Sequence, residues 1–158
     1  MQKIVVSFPE GNYKNDNAVE NVVRYILRLG NRNLAGGYGV LVNDLQSIIE
    51  QFYQVKQVYG KMEGKQIIHI VFSVEKTLYL KPEQVKDLGY MLAEYFGNER
   101  QVVFAVHDDT DQLHIHMGVN TIAYTNGAYQ GFFEIEDLKR YAEVCIDQVI
   151  DRVWFGKN

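Results

Sequence analysis

Val106-His107-Asp108-Asp109-Thr110-Asp111-Gln112-Leu113-His114-Ile115-His116-Met117-Gly118-Val119-Asn120 holds three of the chain's four histidines beside three aspartates. Leu113 to Val119 reads as a strand, and alternate side chains of a strand point to opposite faces. His114 and His116 therefore share one face, and Leu113, Ile115 and Met117 the other. Gln101 to Val106, rich in β-branched and aromatic residues, reads as a second strand, and the Asp-rich loop returns the chain as a hairpin. His107 then stands at the loop end of one strand, near the His114/His116 face of its neighbour. Two imidazoles at i and i+2 with a third across a hairpin can converge on one metal ion and leave coordination positions open for a substrate. A His-x-His pair also occurs as ordinary surface chemistry, and an Asp-rich loop as a plain turn. The third histidine at hairpin distance, with Asp109 close by, favours the metal site.

Length and composition bound what this hairpin can belong to. The 158 residues suit one domain, 1–158, with a real core, and 47% hydrophobic content is ordinary for a globular protein. Neither end reads as a signal peptide, and no apolar run approaches transmembrane length. The single cysteine, Cys145, excludes an internal disulfide and fits a reducing cytoplasm. The net charge of −4 counts against nucleic-acid binding, which usually goes with a basic surface. The excess acid lies mostly from Gln101 onward, where a bound divalent cation would offset the aspartates. Weak electrostatic grip predicts salt-sensitive DNA affinity, or reliance on a partner to hold the DNA.

Outward from the hairpin, Gln2 to Phe8 predicts a first strand, stopped by Pro9 and Gly11. From Ala18 to Leu29 the residues Val19, Val22, Val23 and Ile26 recur at helical spacing, with Tyr25 off the centre of the stripe. Arg24, Arg28 and Arg32 recur every fourth residue beside it, the usual spacing of a solvated face. Gly30 reads as a helix C-cap, and Asn31 to Gly39 as a flexible glycine loop without a phosphate-binding signature. Val42 to Val58 is a second amphipathic helix with Ile48, Ile49, Phe52 and Val55 inward, capped at Asn43-Asp44. Gln66 to Val74 is a strand in which His69 shares a face with Ile67, Val71 and Ser73; a histidine flanked by isoleucines is ordinarily a core or sheet-edge residue. Pro82 opens a third helix that ends near Gly97. Asn126-Gly127 signals a hairpin turn into a strand from Ala128 to Phe133. Glu134 to Trp154 is a final helix with Tyr141 on its core stripe. This order predicts an α+β domain: a largely antiparallel central sheet, helices packed on one face and the histidines on the other, open face.

His107-x-Asp109, a short spacer, then His114-Ile115-His116 running into an apolar strand that ends at Asn120, resembles the third motif of relaxases. These are the mobilization nucleases of conjugative and mobilizable elements, within the His-hydrophobe-His endonuclease superfamily. Cupins expect a glutamate a few residues later, where Met117-Gly118-Val119-Asn120 stands, and histidine-triad hydrolases a further histidine where Gly118 stands. The Gln66–Val74 strand resembles the second motif, with Ser73 as a backbone-phosphate contact. Tyr25-Ile26-Leu27 resembles the first motif, a nucleophilic tyrosine on an early helix, and Tyr13 sits in an irregular segment that would not fix its aim. Related replication initiators and single-tyrosine transposases place the tyrosine late, which makes Tyr141 the rival nucleophile. Tyr141 lacks the following lysine common there.

The resemblance implies a relaxase-like fold and phosphoryl transfer on single-stranded DNA at a transfer origin. His107, His114 and His116 would hold a divalent metal that polarises the phosphate, and Tyr25 would attack to leave a 5′-phosphotyrosine link and a free 3′-hydroxyl. Asp109 would orient a ligand histidine, and Arg24, Arg28, Arg32 and Ser73 would contact DNA. Magnesium or manganese is the family's habit, and three imidazoles also suit zinc or nickel. Accessory DNA-processing proteins are expected partners, and the expected compartment is the cytoplasm. The sequence departs from the family in being acidic and in ending soon after the relaxase core. Two readings from other classes stand beside this one: a non-catalytic metal- and DNA-binding regulatory module, and a hydrolase of small phosphodiesters.

Overall fold

The structure, a computed structural model, describes residues 2–28 and 32–156. Along the chain run β1 (Ile4–Ser7), α1 (Ala18–Arg28), β2 (Ala35–Tyr38), α2 (Leu45–Tyr59), β3 (Ile67–Val74), α3 (Pro82–Gly97), β4 (Val102–His107), β5 (His114–Asn120) and α4 (Ile135–Phe155). The five strands form one sheet in the order β1-β3-β5-β4-β2, and every pairing is antiparallel. The expected α+β class with a relaxase-like antiparallel sheet is the one the chain adopts.

Period-two alternation divides the central strands between two cores. Ile68, Ile70 and Phe72 of β3, Phe104 and Val106 of β4, and Ile115, Met117 and Val119 of β5 meet α3 and α4. Those two helices cover one face, as expected. On the other face Ile67, Val103 and Ala105 meet Val19, Val22, Val23 and Ile26 of α1 and Ile48, Ile49 and Phe52 of α2. The histidine face is therefore open only in part, because the α1 stripe needed apolar cover and half of that face supplies it. Val19, Val23 and Ile26 are fully buried, each worth about 1.5–3 kcal/mol of burial before entropy is counted.

Two local readings change. The glycines at 36 and 37 lie in β2, not in a flexible loop: Gly36 pairs with Phe104 and Gly37 with Val103. A Cβ on Gly36 would stand 2.5 Å from the Tyr90 ring of α3, so the residue is there for close packing rather than for freedom. The Asn126-Gly127 turn forms, with Ala128 N–H donating to Asn126 Oδ1 at 2.9 Å. The strand expected after it does not. Only an isolated bridge joins Ile122 to Tyr129, and the side chains of Tyr129 and Phe132 are exposed. The proposed C-cap at Gly30 lies outside the described residues.

Lys56 is the unexpected core residue. It continues the α2 stripe one turn beyond Phe52 and is 1% exposed. Its ammonium donates to the Gln66 carbonyl at 2.7 Å and to Asn120 Oδ1 at 2.8 Å. Burial, and then repulsion from Arg100, push its pKa down to about 7. Asn120 is itself fully buried, and its amide donates to the Phe52 carbonyl and to Gln101 Oε1. The asparagine that ends the motif strand thus ties α2 to the far end of β5, away from the histidines.

Candidate active site

The histidine face places the chemistry. In the β3–β5 ladder His69 is opposite Gly118 and Val71 opposite His116, so His69 and His116 are diagonal neighbours on one face. In the β4–β5 ladder Ala105 is opposite His116 and His107 opposite His114. Across the face lies α1, seated close because residue 118 has no side chain: a Cβ there would stand 3.0 Å from Cδ1 of both Ile26 and Ile67. That close seat brings Tyr25, on the neighbouring flank of α1, over the imidazoles.

The Tyr25 ring centre is 5.2 Å from that of His116, 5.7 Å from His69 and 6.0 Å from His107. Tyr25 is 38% exposed, whereas His69, His107 and His116 are all buried. The phenol therefore stands between solvent and three imidazoles. His69 Nε2 and His116 Nδ1 are 3.1 Å apart and share a hydrogen bond. His107 Nε2–H donates to the carbonyl of Ile26 at 2.8 Å. A carbonyl only accepts, so His107 carries a proton on Nε2. The same bond ties the tip of β4 to the helix that carries Tyr25. Burial, with the charge of His107 second, lowers the His69 pKa to about 4. His69 is neutral near pH 7.

Among the expected site residues, Tyr25, His107 and His116 come together. His114 is half-buried at the edge of the cluster, its ring centre 6.4 Å from that of His116. It lines a polar hollow with Glu75, Thr110 and Asp111. Ser73 is opposite His114 in the β3–β5 ladder. Asp109 is exposed in the turn before β5, and among the described residues it makes no hydrogen bond to a histidine. Arg24 is exposed and paired to Glu20 at 3.0 Å; the side chains of Arg28 and Arg32 lie outside the described residues. Tyr141, the rival nucleophile, packs against the core on the opposite face of the sheet and donates its hydroxyl to the Met91 carbonyl at 2.7 Å. Burial raises its pKa. Sequence reasoning gave His69 a minor place. Its shared face with Ser73 was visible, but its nearness to His116 depends on the β3–β5 register.

The donor set can be tested against a metal ion. His107 and His116 stack at 4.0 Å with 20° between their planes. Imidazole lone pairs lie in the ring plane, so stacked rings aim them side by side rather than at a common point. Two nitrogens of the cluster face each other in the His69–His116 bond, and among the described residues no three His, Cys, Asp or Glu side chains converge on one ion. As these side chains stand, they do not fit a three-ligand cage.

An early-helix tyrosine over histidines of an antiparallel sheet resembles the layout of a relaxase nuclease domain. A family model described as "Relaxase: MobA/VirD2-like, nuclease domain" matches residues 25–149, and the chain belongs to that family. Two relatives from Staphylococcus aureus, both named "Protein rlx", show the same kinship. One is 33% identical over 84 residues, 53% of this chain and 25% of the relative. The other is 35% identical over 97 residues, 60% of this chain and 30% of the relative. The chain thus matches less than a third of the length of either. Among the described residues no helix is long and apolar enough to cross a membrane.

Proposed function

We propose that this chain acts as one nuclease domain that nicks and rejoins single-stranded DNA at a transfer origin through Tyr25. The observation that carries the reading is the half-exposed phenol on α1 with imidazoles from β3, β4 and β5 within 6.0 Å of its ring centre. In the forward step a bond forms between Tyr25 Oη and the scissile phosphorus, and the bond from phosphorus to the 3′ oxygen breaks. The strand is left with a free 3′-hydroxyl, which takes up a proton as the phenol gives one up. The reverse step rejoins the ends. A phenol of pKa about 10 needs a proton acceptor to react near neutrality, and the surrounding imidazoles are the groups at hand. Arg24, with Arg28 and Arg32, and Ser73 beside the histidines would hold the backbone. The family generally depends on a divalent metal. Magnesium or manganese, with zinc or nickel next, would be that metal, and His107 and His116 would have to unstack before they and His114 could bind it. Accessory proteins at the origin and a cytoplasmic setting belong to the same proposal.

The stacked His107–His116 pair favours one rival, a non-catalytic DNA-binding module. Incubation of labelled single-stranded oligonucleotides from the element's transfer origin with the protein and manganese separates the two. A denaturation-resistant adduct formed by wild type and absent in Tyr25→Phe supports the nuclease. An adduct that survives Tyr25→Phe overturns the assignment, and DNA binding without any adduct supports the rival.

A further inference from the structure

β1 pairs with β3 only from Val71 to Val74, so the chain after Ser7 turns away from the outer edge of β3. The space it leaves is a cleft of about 500 Å³, within the range of small-ligand sites. Its walls carry four aromatic rings: Phe8 and Tyr13 from the segment after β1, Phe132 and Phe133 from the segment before α4. The walls are held. Tyr13 donates its hydroxyl to the Pro9 carbonyl at 2.7 Å and accepts from Gln66 N–H at its own carbonyl at 2.6 Å. Phe133 packs on Phe96 with ring centres 4.6 Å apart. Phe132 alone is 71% exposed at the mouth. The cleft also takes in Glu10, Lys65 and His69, and His69 is the residue that touches His116 and Tyr25 on its other side.

We propose that this cleft receives a base of the DNA strand next to the phosphate at Tyr25. The inference rests on the reading that a strand passes over Tyr25. Continuity through His69 argues for that occupant: the residue lines the cleft, and its ring centre is 5.7 Å from that of Tyr25. The chemistry of the walls agrees. Every base has a face that stacks on an aromatic ring whatever the sequence, and Phe132 offers such a ring to solvent. Lys65 supplies a cation for a backbone phosphate. Glu10 supplies a carboxylate that accepts from the exocyclic amine of cytosine, whereas the one N–H of unpaired thymine lies between two carbonyl oxygens that repel a carboxylate. The cleft therefore favours an amine-bearing base over thymine.

The test is fluorescence anisotropy of the full chain with labelled dC12 and dT12 in chelator, which separates binding from cleavage. Wild type binds dC12 about fivefold more tightly than dT12. Phe132→Ala weakens both about tenfold and Phe132→Trp restores them, while Glu10→Gln removes the preference and leaves dT12 unchanged. Variants that bind both oligomers as wild type does overturn the cleft, even where wild type forms the Tyr25 adduct. The expected binding pattern without an adduct keeps the cleft and rejects the nuclease reading. Absence of binding to either oligomer overturns the cleft and leaves the nuclease reading to the adduct assay.

Discussion

Replacing His107 with phenylalanine separates the two jobs this residue holds. The ring stacked on His116 is kept in kind, since phenylalanine presents a similar face at the 4.0 Å stacking position. The donor to the Ile26 carbonyl is lost. That bond is 2.8 Å long, and His107 is only 4% exposed, so water replaces the lost donor poorly. A net intramolecular hydrogen bond is worth about 1 kcal/mol, and a buried acceptor left unmade costs about 1–3 kcal/mol. His107→Phe should therefore destabilise the fold by about 2 kcal/mol, concentrated where β4 meets α1. Urea unfolding gives the global value, and native-state hydrogen exchange gives its location as faster exchange of the α1 amides. A variant within about 0.5 kcal/mol of wild type, the range of an ordinary surface change, with α1 protection unaltered, would refute the coupling of α1 to the histidine cluster.

Tyr25→Phe should leave stability within about 0.5 kcal/mol, because the side chain is 38% exposed, yet abolish adduct formation; thermal melts and denaturing gels read the two effects. Lys56→Met should lower urea stability by about 2–3 kcal/mol, since the Gln66 carbonyl and Asn120 Oδ1 lose their shared donor; an unchanged midpoint would mean the network holds without it. His69 has a folded-state pKa near 4, below its usual 6.5, so between those values the unfolded chain binds more protons. Stability should then rise with pH from 4 to 6.5, by up to about 3 kcal/mol. His69→Phe should flatten that part of the melting profile, and a slope that persists would place the titration elsewhere. Gly118→Val should push α1 off the sheet through Ile26, lowering adduct yield more than far-UV helix content; equal losses would contradict the seating role given to that glycine.

Most of the strand plan was legible because alternation is a local signal: Leu113 to Val119 and Gln66 to Val74 read as strands on their own residues. The His107, His114 and His116 face followed from the same rule. What escaped depends on partners distant in sequence. His69 enters the site only through the β3–β5 register, where it is opposite Gly118. Gly36 and Gly37 read as flexible because sequence shows the missing side chain, not the Tyr90 ring packed against it. Lys56 carried a signal that could have been used, since it falls on the Ile48–Phe52 stripe where a solvated lysine has no place. The histidine face was expected to be open, and the need of the α1 stripe for cover shows why half of it is not. That cover also brings Tyr25 to the imidazoles.

Attack by Tyr25 is read out by digesting the protein–DNA adduct and locating the nucleotide by mass spectrometry. A phosphodiester-linked nucleotide is expected on the peptide that contains Tyr25 and on no other. A nucleotide on the Tyr141 peptide, or on any tyrosine away from the His69–His107–His116 cluster, would contradict it.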